Sequence, residues 1–190
     1  VSAMLQTFVD YQHTDKTVIL LAYSNAKVAQ YNKLIRSRLF LKDPTEELQR
    51  YYVGEKLVFG SGRRVVADAD NKEVAYYSSH IVQVCELDRV VKTLNFPDCG
   101  CAPDQWKRTK CAKHGFYKGS IDIEFYHIVD QHGTDWFKPV DPKRLEPLQA
   151  QKKSMCKDTT SQILWRNYYN WLHEWNADLK YNYAMTIHKS

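Results

Sequence analysis

The sequence closes on Tyr183-Ala184-Met185-Thr186-Ile187-His188-Lys189-Ser190, an apolar run that leads into Thr-x-His-Lys-Ser. A Thr hydroxyl, an imidazole and exposed backbone N–H groups at a strand end can hold a phosphodiester backbone without reading its bases. Ligands of open α/β sheets collect beyond the carboxyl ends of strands, which is where Thr186 to Ser190 would fall. The plain alternative is a strand-to-loop exit with a solvated His-Lys-Ser. A second constellation is Cys99-Gly100-Cys101 with Cys111 and His114. Thiolate and imidazole donors ending in Cys-x-x-His could surround a tetrahedral Zn²⁺, although Cys-x-Cys is tighter than the usual ligand gap. Reduced thiols in a loop are the default. The same stretch is basic: Lys107, Arg108, Lys110, Lys113 and Lys118 occur with no acid between them, and Trp106, Phe116 and Tyr117 are interleaved. That mixture suits the backbone of an unwound strand, and exposed charge alone explains it equally well.

These residues need elements to position them. Thr17 to Tyr23 is a continuous, partly β-branched apolar run of strand length, the pattern of a parallel strand covered on both faces. Ser24 and Asn25 follow, and either can cap a helix. Val28, Tyr31, Ile35 and Leu39 recur at three- and four-residue steps, which predicts a helix from Ala26 to Phe40 ended by Pro44. Lys27, Lys33, Arg36 and Arg38 make it basic, and a solvated basic face is the simplest account of them. Strand, polar turn and helix form half of a βαβ unit.

The middle third changes character. Tyr51 to Phe59, Val74 to Leu87 and Ile121 to Val129 read as strands, punctuated by Gly60-Ser61-Gly62, Asp68 to Asn71 and Gln131 to Thr134. Several short strands joined by turns predict a small antiparallel barrel inserted in an α/β domain. Pro139, Pro142 and Pro147 mark its exit, and the polar stretch from Gln149 to Lys157 reads as a loop. A helix is predicted from Thr160 to Asn176, with Leu164, Tyr168, Trp171 and Trp175 on one packing stripe. Leu179 to Met185 would then return to the sheet.

Three segments carry a family resemblance. Leu21-Ala22-Tyr23-Ser24-Asn25-Ala26-Lys27-Val28, with Tyr31-Asn32 and Ile35-Arg36, resembles the start of the second RecA-like domain in superfamily 1 DNA helicases of the RecD/Dda-like branch. There a strand ends in Tyr-Thr-Asn, so Ser24 is a conservative departure. Gly54-Glu55-Lys56-Leu57-Val58 resembles the opening of the SH3-like insertion of that family. Tyr183 to Ser190 resembles the start of motif V, which usually continues with Gln-Gly, so the expectation is a fragment that stops inside that motif.

The resemblance implies an α/β fold: residues 1–50 beginning the RecA-like domain, 51–148 forming the SH3-like insertion, and 149–190 returning to it. It implies single-stranded DNA contacts from Ser24, Asn25, Thr186, His188, Lys189 and Ser190. It also implies a missing N-terminal RecA-like domain as partner and, in that parent, 5′-to-3′ movement driven by ATP and Mg²⁺. Arg36 and Arg38 are the candidates for the ATP cleft, because such motors bring an arginine to the γ-phosphate. No catalytic residue and no cofactor are expected for the fragment itself, since the sequence has no Gly-Lys-Ser/Thr phosphate loop and no Walker-B carboxylate. The alternative is a freestanding module that binds single-stranded nucleic acid without a motor.

Composition agrees with these classes without choosing between them. A net charge of +5 leans towards an anionic partner. Aromatic residues make up 13%, which serves cores first and base stacking second. Five cysteines, an odd number, argue against a secreted disulfide framework and for a cytoplasmic setting. No stretch approaches the roughly 20 apolar residues of a membrane span.

Overall fold

The computed structural model of the chain describes residues 2–11, 14, 18–60, 63–67, 73–97, 117–157 and 162–186. The protein is mixed α/β. Its elements are α1 (Ser2–Tyr11), β1 (Leu20–Ala22), α2 (Asn25–Phe40), β2 (Lys56–Phe59), β3 (Arg63–Ala67), β4 (Glu73–Tyr77) and β5 (Ile81–Asn95), followed by β6 (Ser120–Asp130), β7 (Asp135–Pro139), α3 (Pro142–Lys157), α4 (Gln162–Trp175), β8 (Leu179–Tyr181) and β9 (Ala184–Thr186). Contacts divide the chain into two units. The first comprises Val1–Cys85, Asp130–Thr134 and Asp178–Ser190, and the second comprises Glu86–Val129 and Asp135–Ala177.

In the first unit, β1 and β9 pair in parallel, Leu20 opposite Ala184 and Ala22 opposite Thr186. Helix α2 packs on this pair through Ile35, in a core shared with Phe8 of α1 and with Tyr183. The helix ends at Phe40, short of Pro44, because Leu41 already leaves helical geometry while its N–H still bonds the Ser37 carbonyl. Strand β1 is shorter than its apolar run suggests, and it is not covered on both faces. Leu20 and Ala22 point inward, whereas Leu21 is 63% exposed and Tyr23 81% exposed. Strand alternation puts those two side chains on the outer face of a two-stranded ribbon. Strand β2 pairs antiparallel with the start of β5 on one side and with β8 on the other. Strands β3 and β4 form a separate antiparallel hairpin.

The apolar run around Val74 to Leu87 is divided by a turn at Ser78 to His80, where Ser79 takes φ 73°. A buried polar knot anchors the neighbouring turn. The Tyr76 hydroxyl donates to Asp130 at 2.5 Å, and the other Asp130 oxygen accepts the N–H groups of His132 and Thr134. Buried carboxylates persist only when satisfied in this way.

In the second unit, β6 lies between β5 and β7, and pairs with β7 in antiparallel register with Ile128 opposite Trp136. Its core holds Leu94, Ile123, Phe125, Leu145 and Leu148, with Trp171 and Trp175 of α4 packed against it. Tyr168 is buried as well, so the aromatic stripe of α4 serves packing.

The stretch from Gln149 to Lys157 is a helix, not the loop its polarity suggests: it is the greater part of α3. Pro142 stands first, where its fixed φ suits a helix and its missing N–H costs nothing. Pro147 removes one internal hydrogen bond, and the helix survives because Leu145 and Leu148 are fully buried. The expected limit between residues 148 and 149 therefore falls inside α3. Leu148→Ala should lower unfolding free energy by about 2–5 kcal/mol. A urea denaturation curve that moves by less than about 1 kcal/mol would show that α3 does not hold this core.

Candidate nucleic-acid interface

Helix α2 starts where β1 ends. Ser24 is its N-cap, in extended geometry, and the Ser24 Oγ accepts the Lys27 N–H at 3.3 Å. Such a cap is worth about 1 kcal/mol. It also leaves Asn25, the first helical residue, exposed at the carboxyl end of β1. Thr186 ends β9, which runs parallel to β1, so both strand ends open on the same side. Thr186 Oγ1 donates to Asn25 Oδ1 at 2.8 Å, across 161 positions of sequence.

Two turns along the helix, buried Asn32 accepts the Ala184 N–H at 2.9 Å, satisfying a β9 backbone group and fixing the strand's position along α2. Leu20 N–H bonds the Tyr183 carbonyl at 2.8 Å. Ser24, Asn25 and Thr186 are thus gathered at one strand-end site, on the side where open α/β sheets bind ligands. His188, Lys189 and Ser190 lie outside the described residues. So do Cys99, Cys101, Cys111 and His114; among the described residues no cluster of potential metal ligands occurs.

The two arginines part company. Arg38 is exposed in the last turn of α2. Arg36 is neither a solvated residue nor free to reach a phosphate: it is 3% exposed and committed. Its Nε donates to Glu55 Oε1 at 2.5 Å, and its Nη2 donates to Glu55 Oε2 at 3.2 Å and to the Gln49 and Arg50 carbonyls at 2.9 and 2.8 Å. The guanidinium also lies 4.0 Å from the centre of the Tyr181 ring, whose hydroxyl donates to the Arg50 carbonyl.

Glu55 is fully buried and also accepts the Tyr52 N–H at 3.1 Å. Gly54 makes that inward aim possible. It adopts φ 83°, a conformation that strains any residue with a Cβ, and its N–H bonds the Val84 carbonyl. Sequence reading placed Glu55 in the motif resembling the insertion's opening but missed it as the partner of Arg36.

Burial shifts the titrations here. It works against the Arg36 charge, but the hydrogen bond and attraction from Glu55 outweigh it and hold the Arg36 pKa above its ordinary value. The Glu55 carboxyl is carried upward by burial, against the pull of Arg36, the Tyr52 N–H and Tyr183. Arginine keeps its proton in proteins, so a charged guanidinium holds the site together. Burial pushes Tyr51 up to about 12 and raises Tyr183 further, with Glu55 adding to the second shift.

The sequence matches no protein-family model, and no curated protein is significantly similar to it. Any functional assignment therefore rests on the residues and their geometry.

Two outcomes are expected of the buried pair. Glu55→Leu or Arg36→Met alone should cost about 3–5 kcal/mol, since each strands a buried polar partner, while the two together should recover much of that loss. Additive losses in the double-mutant cycle would mean the two side chains do not act together. Alkaline stability follows from the tyrosines: the unfolded chain loses phenol protons near pH 10, while Tyr51 in the folded state keeps its proton to about 12. The stabilisation is whole below pH 10 and declines as pH rises towards 12. Phenolate absorbance and circular dichroism should show the last tyrosines ionising only as structure is lost. If all thirteen titrate near pH 10 in a folded chain, the burial argument fails.

Proposed function

We propose that this chain forms the greater part of the second RecA-like domain of a superfamily 1 DNA helicase, interrupted by an SH3-like insertion, and that its strand-end site holds single-stranded DNA. The observation that carries this reading is the Thr186–Asn25 hydrogen bond at the carboxyl ends of the parallel pair β1 and β9. It joins two of the three segments that carry the resemblance to the family. Asn32, part of the same resemblance, supports it by fixing β9 on α2. The exposed Leu21 and Tyr23 support a larger parent domain, because parallel sheets are normally covered on both faces.

The chemistry proposed for the site is backbone holding. The Asn25 amide nitrogen offers donors to phosphate oxygens, oriented by the Thr186 hydroxyl whose proton goes to Asn25 Oδ1, and the α2 N-terminus adds a favourable partial charge. Such contacts are indifferent to base sequence, as a translocating protein requires. His188, Lys189 and Ser190, which lie outside the described residues, belong to this proposal by resemblance alone.

ATP and Mg²⁺ belong to the proposed parent. The residues here do not fit a complete nucleotide site, since the sequence has no phosphate loop and Arg36 is engaged by Glu55. The partner would be the N-terminal RecA-like domain, with Arg38 the arginine still open to an ATP cleft. No described helix is long and apolar enough to cross a membrane.

Fluorescence anisotropy with labelled single-stranded DNA tests the site. Binding should weaken steeply with added salt. Thr186→Ala and Asn25→Ala should each weaken it by about fivefold, the equivalent of one hydrogen bond of roughly 1 kcal/mol, with thermal unfolding little changed. Unaltered affinity in both folded variants would remove the strand end from the interface. The chain itself should hydrolyse no ATP.

A further inference from the structure

In the second unit, α3 and α4 border an open pocket of about 200 Å³ lined by Lys152, Cys156, Leu164, Asn167, Tyr168 and Trp171, among others. An apolar cavity of about 150 Å³ is large enough to take benzene, so a single planar ring system suits this one. Its polar groups are few and differ in kind. The Lys152 ammonium stands 4.9 Å from the centre of the Trp171 ring and makes no carboxylate salt bridge among the described residues. Burial lowers its pKa, while the nearby Cys156 and Glu174 pull the other way. The Asn167 amide, which can both donate and accept, stands exposed on the lining. The Cys156 thiol is already engaged by the Lys152 and Leu164 carbonyls at 3.4 Å each, so it forms wall rather than reactive surface.

We propose that this cavity binds one nucleotide, its base against Trp171 and Tyr168, its base edge on the Asn167 amide and its phosphate on Lys152. A purely apolar ligand would make no use of the ammonium, and a neutral sugar, though it can lay its C–H face on a ring, would bring no anion to it. A nucleotide supplies a π face, a hydrogen-bonding edge and an anion in one molecule, matching the three kinds of group present. Aromatic stacking is worth about 1–3 kcal/mol per base in single-strand binding. The proposal does not depend on the strand-end reading, because α3 and α4 belong to the other unit. The nucleotide could be free or part of a single strand; the chemistry is the same.

The test is a nuclear magnetic resonance titration following the tryptophan indole N–H signals. One arm uses thymidine monophosphate, the other an oligothymidylate of about ten nucleotides, within single-strand site sizes. The Trp171 signal should move saturably. A response to the mononucleotide identifies a free-nucleotide site, and a response to the oligonucleotide alone identifies a base taken from a strand. Lys152→Met should weaken the response by about tenfold, the effect of losing a charge-assisted contact. Leu164→Trp, which fills the cavity from a 41% exposed position, should abolish it while the other indole signals stay in place. Thr186→Ala should leave it unchanged, which separates this site from the strand end. A Trp171 signal unmoved by both ligands, a response that survives Leu164→Trp, or one lost in Thr186→Ala would overturn the proposal.

Discussion

The buried pair of Arg36 and Glu55 is the constraint on which the first unit depends. Taking both charges out of water is costly, and their attraction roughly offsets that cost only when every donor and acceptor is used. Here Arg36 serves Glu55 and the Gln49 and Arg50 carbonyls, Glu55 also takes the Tyr52 N–H, and no buried side-chain polar atom among the described residues lacks a partner. Net stability is not the main return from such a pair. Its consequence is a penalty on alternatives, because any arrangement that separates the partners leaves a charge buried alone. Gly54 sets the turn, Glu55 points inward, and β2 begins at the next residue.

Helix α2 carries this logic along its length. Asn25, Asn32 and Arg36 are separated by seven and four residues, so they lie on one face of the helix. Each meets a different part of the first unit: Thr186, the Ala184 N–H and Glu55. Beside that polar stripe runs the apolar one, with Ile35 fully buried between Phe8 and Tyr183. Burial fixes how strongly the helix adheres. The polar stripe fixes where it sits, because hydrogen bonds have a direction and a register that apolar contacts lack.

Much of this was legible in the sequence wherever one period dominated. The apolar stripe of α2 stands out, as do the alternation that becomes β6 and the turn that leads to β7. What stayed hidden has specific causes. Helix α3 fills two of its inward positions with Gln151 and Lys152, which reads as a polar loop. Yet Gln151 is 3% exposed and its amide is consumed by Pro97 and Tyr117 backbone groups. Arg36 looked like part of a basic surface because its acidic partner lies nineteen residues away. The outer face of β1 was expected to be covered, since a continuous apolar run does not say whether its cover lies within the same chain. At the strand end, family resemblance grouped Ser24, Asn25 and Thr186 as DNA contacts; the hydrogen bond joining Asn25 to Thr186 needs the fold.

These connections bear on what the strand end can do. A helix of sixteen residues is about 24 Å long and stiff on that scale. A load on Thr186 reaches Asn25 through one exposed hydrogen bond, the weakest link of the three along α2. The Asn32 and Arg36 contacts are buried and break only with desolvated groups left behind. Displacing Thr186 therefore has two outcomes: the Asn25 bond yields and the strand end moves alone, or the bond holds and α2 moves as a body. The gradient from an exposed, breakable contact to a buried, committed pair favours local release at the strand end. Such an end can move while the rest of the first unit keeps its shape, as the proposed hold on a strand backbone would require.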